Sequence, residues 1–291
     1  MKGGVAIVTG GGSGIGRALS IELAKRGAFV HVTDVNEKGA EATAKQIGAS
    51  AKHAALDVRD AGAVQRFCDA VGRVDYLFNN AGIPVGGEVQ DLTLAHWDRI
   101  IDINIRGVVH GVHAVYAGMV ARGSGHIVNT ASIAGILPGL TPSYDATKHA
   151  VVALTEDLYT TLTSVGVPVG VSVLCPGWVQ TRIMDAERNW PDHLGAPPPA
   201  ALGADIVGDH VRRAVAEGLP PAAVADLVAE AIAEERFWVF PHPDFVELAE
   251  LRWRTIVEGQ NPAGLPDVPG LPPSEQIAAE VAASLGGLTS D

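Results

Sequence analysis

Short apolar runs rich in Val and Ile recur along this chain, separated by longer stretches whose apolar positions fall at helical spacing. Val5–Thr9, Phe29–Asp34, Ala54–Val58, Asp75–Asn79, His126–Ala131 and Val169–Cys175 read as strands. Helices are expected from the glycines after Thr9 to about Arg26, over Glu37–Ile47 and Ala61–Val71, and again over Leu94–Ala121 and Ser143–Ser164. Strands that are apolar on both faces and alternate with helices call for a parallel sheet covered on both sides. Right-handed crossovers then make it doubly wound. After Pro176 the rhythm loosens into a Pro/Gly-punctuated loop and helix, and residues 182–219 read as a mobile lid. A helix at Ala222–Glu235 and a strand at Phe237–Phe240 restore the pattern. Helices near Phe245–Val257 and Glu275–Ser284 follow in a proline-rich tail. The chain therefore divides into a Rossmann-type domain, residues 1–243 with the lid, and a C-terminal extension, residues 244–291. Phe245, Leu248, Leu251 and Trp253 should pack the extension on its own domain or on a neighbouring subunit.

Composition narrows the function. A formal charge of −12 repels phosphate backbones and argues against nucleic acid. Cys68 and Cys175 have no metal-ligand spacing and read as buried, reduced thiols. His110 and His113 lack acidic or cysteine partners nearby, so no metal site is expected. With no leader and no apolar run long enough for a bilayer, a cytoplasmic protein without membrane contact is expected.

The segment Thr9-Gly10-Gly11-Gly12-Ser13-Gly14-Ile15-Gly16 stands between the first strand and its helix. Glycine there permits a tight turn and close backbone approach, and the helix N-terminus offers free N–H groups to a pyrophosphate. A flexible loop would look similar, but strand and helix flank this one as a nucleotide site requires. Asp34 closes the second strand, where a carboxylate can accept from ribose hydroxyls and repel a 2′-phosphate. With no Arg or Lys in the glycine loop, NAD is favoured over NADP. Tyr144 and Lys148 share one helix face. An ammonium nearby would lower the phenol pKa toward neutrality. Alone, such a pair is common on surfaces.

In company it is not. The glycine segment, Asn79-Asn80-Ala81-Gly82, Ser132, Tyr144-Asp145-Ala146-Thr147-Lys148 and Pro176-Gly177 occur in order, each after a strand or at the start of a helix. This set resembles the short-chain dehydrogenase/reductase family, in its single-domain branch, over roughly residues 4–240. The resemblance implies a sheet in the order 3-2-1-4-5-6-7 and a hydride transfer between a nicotinamide and a secondary alcohol or ketone. It implies Tyr144 as the general acid/base, Ser132 as the stabiliser of the substrate oxygen, and Lys148 as ligand of the nicotinamide ribose. Asn104 would hold a water in the proton relay. Gly10, Ser13, Gly14, Ile15, Gly16 and Asp34 would take the adenosine diphosphate end, with Asp57 and Val58 at the adenine and Asn80 along the ribose. Val179 and Thr181 would meet the carboxamide. An epimerase on the same scaffold would usually carry differently spaced glycines and a larger substrate domain. A non-enzymatic cofactor sensor would lack the serine or tyrosine.

Val85, Leu137, Pro138, Leu140, Trp178, Ile183, Met184 and Trp190 are the candidate pocket residues, so a hydrophobic alcohol or ketone is expected. Ala150, Leu154, Leu158 and Leu162 recur at helical spacing and suit either the sheet or a partner helix. A homodimer is expected, with a homotetramer as the alternative if the tail crosses to a neighbour.

Overall fold

A computed structural model describes residues 1–139, 141–185, 190, 194, 204–262 and 267–286. Seven strands form one parallel sheet: β1 (Val5–Thr9), β2 (Phe29–Asp34), β3 (Ala51–Ala55), β4 (Tyr76–Asn79), β5 (His126–Thr130), β6 (Gly170–Leu174) and β7 (Trp238–Val239). Their order is β3-β2-β1-β4-β5-β6-β7, as the motifs implied. The direction of winding reverses between β1 and β4, and this reversal opens a crevice at the carboxyl ends of the strands.

The helices are α1 (Gly14–Lys25), α2 (Glu37–Ile47), α3 (Ala61–Val71), α4 (Leu94–Ile101), α5 (Gly107–Arg122), α6 (Pro142–Ser164), α7 (Ala204–Glu217), α8 (Pro221–Ala233), α9 (Asp244–Val257) and α10 (Ser274–Gly286). Leu19, Leu23, Ala40, Val224 and Val228 pack α1, α2 and α8 on one face of the sheet against Val8, Val30 and Val32. Val64, Cys68, Val115, Met119 and Leu162 pack α3, α5 and α6 on the other, against Ile7, Leu77 and Ile127. Both cysteines are buried and free. Among the described residues no helix is long and apolar enough to cross a membrane.

Three departures from the sequence pattern have physical causes. β3 ends at Ala55, where Ala54–Val58 had been expected, because it is the sheet edge and carries exposed Lys52 and His53. Leu56 and Val58, which drew the expectation forward, are buried just beyond it. The single helix expected over Leu94–Ala121 is divided by a π turn, Asp102–Arg106, which carries Asn104. Leu162 turns into the core at 1% exposure, so the α6 stripe is not all on an outer face. The lid's residues 186–189, 191–193 and 195–203 lie outside the described residues, as does Leu140.

One histidine on β5 is shut into the sheet. His126 is buried, and its Nε2 lies 2.9 Å from the Ser172 hydroxyl. That hydroxyl donates to the Arg236 carbonyl at 2.6 Å, so it can only accept from His126, whose Nε2 carries the proton. Burial pushes this imidazole down to about 4. An unfolded chain protonates it near 6.5, so between those values the unfolded state binds more protons and stability falls as pH falls. Above about pH 6.5 the contribution is complete. Urea unfolding should show the wild type losing about 3 kcal/mol more than His126→Gln between neutral pH and about pH 4. Equal losses in the two chains would contradict the buried neutral imidazole.

Candidate active site

The crevice begins at Thr9, the last residue of β1. Its hydroxyl donates to the Phe78 carbonyl at 3.3 Å and accepts from the N–H groups of Asn80 and Ala81 at 3.0 and 3.1 Å. The Asn80 amide in turn donates to the Thr9 carbonyl at 3.1 Å, and its oxygen faces the Thr130 hydroxyl at 3.4 Å. Asn80 thus ties together the ends of β1, β4 and β5. Over it folds the glycine loop, where a Cβ on Gly16 would stand 2.2 Å from the Gly10 carbonyl oxygen. No side chain fits. The approach seats the N-terminus of α1 on the strand end, and the Ser13 side chain makes no capping bond there. Free helix N–H groups, an uncommitted hydroxyl and a glycine turn suit a pyrophosphate.

A cleft of about 820 Å³ runs past this loop, lined by Gly12, Ser13, Gly14, Asp34 and Thr181 among others. Asp34 accepts from the Gly12 N–H at 3.0 Å and the Asn36 N–H at 2.8 Å. Its carboxylate is therefore held at the place where a ribose would pass. Spacing did not reveal Arg17, whose guanidinium returns along α1 to the Gly12 carbonyl at 2.5 Å and to the Thr43 hydroxyl at 3.1 Å. The cleft fits a dinucleotide in its glycine cradle and its carboxylate.

Other expected ligands are placed differently. The Ile15 side chain packs against the core. Asp57 pairs with Arg59 at 2.6 Å, and that guanidinium holds its carboxyl below the usual range against the cost of burial. Val58 is buried, and its carbonyl accepts from His110 Nδ1 at 2.8 Å. Val179 is buried in the core, bridged to Leu219 through the Trp178 carbonyl and the Gln180 N–H. Such a bridge turns the N–H and C=O of Val179 itself away from Leu219.

The chemistry-bearing side chains meet across β5, the π turn and α6. Ser132 follows β5; its Oγ accepts from the Ala134 N–H at 3.1 Å and faces the Pro176 carbonyl at 3.4 Å. Tyr144 stands on the first turn of α6, with Ser132 near enough to act on its phenol. Lys148 lies one turn on, its Nζ donating to the Thr130 carbonyl at 2.9 Å and standing 5.5 Å from the centre of the Tyr144 ring. Gly82 sits between Lys148 Nζ and Asn104 Oδ1, where a Cβ would be 3.4 Å from each. The Asn104 amide is committed inside the protein. Its oxygen accepts from the Ile83 N–H at 2.9 Å, and its nitrogen donates to the Ile83 carbonyl at 3.0 Å and the Thr147 hydroxyl at 3.1 Å. Thr147 passes its own proton to the Tyr144 carbonyl at 2.8 Å. Thr147 thus joins the π turn to the helix of Tyr144.

The electrostatics correct one expectation. Burial pushes the Tyr144 phenol up to about 12, against the lowering hydrogen bond from Ser132, and Asp145 adds to the rise. Burial also brings the Lys148 ammonium down to about 8. With Lys148 Nζ committed to the Thr130 carbonyl, loss of water outweighs attraction between the pair.

Of the expected pocket residues, Val85 belongs to a buried cluster with Leu92 and Ile100, against which Tyr144, Trp97 and Trp190 pack. Trp190 meets His96 edge-to-face at 5.4 Å and lies under Arg99 at 5.5 Å. Trp178 does not face this cluster: its Nε1 donates to the Pro269 carbonyl at 2.7 Å, in the extension.

Comparison with known proteins agrees with this geometry. The family model for short chain dehydrogenases matches residues 4–192. A curated relative from Lactiplantibacillus plantarum, a "CLA biosynthesis dehydrogenase/reductase", is 32% identical over 280 residues, covering 92% of this chain and 96% of its own. A short chain dehydrogenase/reductase from Burkholderia phymatum, solved in complex with NAD, superposes with a TM-score of 0.87 at 38% identity, covering 92% of this chain and 99% of that one. An actinorhodin polyketide ketoreductase solved with NADPH gives 0.68 at 31% identity, covering 82% and 95%.

Removing the Asn104 amide leaves the Ile83 N–H and C=O without partners in a half-buried loop. Asn104→Ala should cost about 2 kcal/mol in urea unfolding, within the range for stranded buried polar groups. An unchanged midpoint would show that this bracing carries no weight.

Proposed function

The chain belongs to the short-chain dehydrogenase/reductase family, and we propose that it is an NAD-dependent oxidoreductase acting on a hydrophobic secondary alcohol or ketone. The observation that carries the reading is the meeting of Tyr144 with Ser132 at the end of β5, with Lys148 Nζ one helical turn behind and 5.5 Å from the centre of the tyrosine ring. Two hydroxyls on different elements converge where a substrate oxygen can accept from both.

A phenol held near 12 keeps its proton at neutral pH. Tyr144 is then the donor to a carbonyl oxygen as charge develops on it; in the alcohol direction it is the phenolate left by that transfer that takes the proton back. Ser132 stabilises the same oxygen. Lys148 holds positive charge beneath the tyrosine ring and would bind the nicotinamide ribose. Asn104 frames the site through Ile83 and Thr147, with both amide protons already committed. A water in a proton relay would therefore have to be held by its oxygens. When bound, the nicotinamide supplies the carbon that gives or takes the hydride. Gly10, Ser13, Gly14 and Gly16 would cradle its pyrophosphate, and Asp34 would accept from the adenosine ribose. Thr181 and the main chain of Val179 would meet the carboxamide.

Asp34 supports NAD, as does a relative solved with that cofactor. The relative with NADPH and the nearby Arg17 are what the preference has to overcome. The apolar cluster around Val85, Ile100, Tyr144 and Trp190 supports a hydrophobic substrate. For assembly, we propose a homodimer across the groove of Val109, Val112, Tyr116, Leu154 and Leu158, which light scattering of the full chain would test.

Tyr144→Phe should remove turnover by about a thousandfold while NADH still binds, because only the exchangeable proton is lost. Substantial turnover in that variant would sink the proton path. The unmodified enzyme should prefer NAD over NADP by at least about tenfold in kcat/KM, or about 1.4 kcal/mol. Equal use of both would overturn the role given to Asp34.

A further inference from the structure

The segment that leaves β6, Pro176–Thr181, crosses the carboxyl end of the sheet and brings Thr181 against Gly14. At its far end the bridge to Leu219 fixes it. Its near end is held by residues that follow β7. His242 Nδ1 lies 3.0 Å from the Gly177 N–H and must accept, so that nitrogen carries no proton. The Nε2–H is then free to donate to the Trp178 carbonyl, 2.8 Å away. One neutral imidazole thus satisfies two consecutive backbone groups.

The ring has little freedom to leave. Phe245, buried at 3% exposure, packs edge-to-face on both His242 and Trp178, with centroids 6.0 and 6.3 Å away. A Cβ on Gly177 would come within 2.9 Å of Phe245 and 3.1 Å of His242, so glycine is what lets the ring approach. The Trp178 indole is fixed from the other side by the Pro269 carbonyl.

We propose that His242 is a positioning residue for the nicotinamide end of the cofactor site, holding the Gly177–Trp178 main chain so that Val179 and Thr181 present themselves to the cleft. The proposal rests on the nicotinamide reading above. It makes the residues that follow β7 part of the cofactor site, although among the described residues none of them lines the cleft.

Protonation opposes this arrangement. A proton on Nδ1 would point at the Gly177 N–H, two donors face to face. Burial lowers the imidazole, while the Trp178 carbonyl and Asp244 draw it up, and the balance is below the ordinary 6.5. Asp244 is the charged group acting on the ring; Pro176, Gly177, Trp178 and Phe245, packed on its other sides, bring no charge. The ring is neutral at pH 7, and the hold weakens as pH falls through its pKa.

The test is a fluorescence titration of the full chain with NADH at about pH 7 and about pH 5, alongside hydrogen exchange at the Gly177 amide. His242→Phe, which keeps a ring and loses both bonds, should weaken NADH about tenfold and speed Gly177 exchange. His242→Asn, whose Oδ1 can stand where Nδ1 stood, should recover most of the affinity and lose the acid weakening seen in the wild type. An unchanged NADH affinity in His242→Phe overturns the proposal. Acid weakening in His242→Asn equal to that of the wild type does so too, and decides the matter alone should the Phe variant fail to fold. A wild-type chain that binds neither NADH nor NADPH would instead overturn the cofactor reading beneath it.

Discussion

Gly16 lies so close to the Gly10 carbonyl that no side chain can come between them, and this contact fixes the position of α1 on the end of β1. Much else follows from that seating. α1 packs with α8 through Leu19, Leu23, Val224 and Val228, which covers one face of the sheet. Arg17 is carried to the loop carbonyl of Gly12, and the first helical turn is left with its N–H groups toward the cleft. Asn80 meets the same loop from β4, so the crevice is closed below by hydrogen bonds and open above. A parallel sheet always produces strand ends of this kind. What is particular here is how tightly the first loop is drawn down upon them.

Much of this was legible in the chain itself, because glycines at a strand-to-helix turn and a Tyr/Lys pair on one helical face are local patterns. Strand order followed from the family resemblance that those motifs carry. The residues that sequence missed act across large separations. Nothing in the spacing connects His242 with Gly177, or Arg252 with the Ile136 carbonyl it reaches at 3.0 Å. Arg17 was hidden for another reason: it stands on α1 beyond the glycine loop, and its side chain runs back along its own helix to reach it. Trp178 looked like a pocket wall because it follows Pro176-Gly177, yet its indole is turned toward Pro269. The charge state of Tyr144 also escaped, since a pairwise estimate of attraction ignores the water that both groups give up.

The extension packs on its own domain at several separate points. Phe245 lies under the Gly177–Trp178 segment, Arg252 bonds the turn after Ser132, and His210 pairs with Glu280 of α10 at 2.7 Å. Two of these contacts touch loops that flank Ser132 and the glycine cleft. Leu251 and Trp253 nonetheless remain exposed, at 51% and 57%, so the apolar stripe read in α9 is only half used within the chain.

The π turn at Asp102–Arg106 has a consequence for chain length. One extra residue per turn advances everything after it by about 100° around the helix axis. With that residue in place, Gly107 falls against Val58 and Gly111 against Asn79, each so close that a Cβ would collide. Deleting a single residue here would swing both glycines off their contacts and bring larger neighbours onto them. It would also remove Asn104 from Ile83. A single-residue deletion within these five positions would therefore undo both close approaches at once, where surface loops absorb such length changes freely.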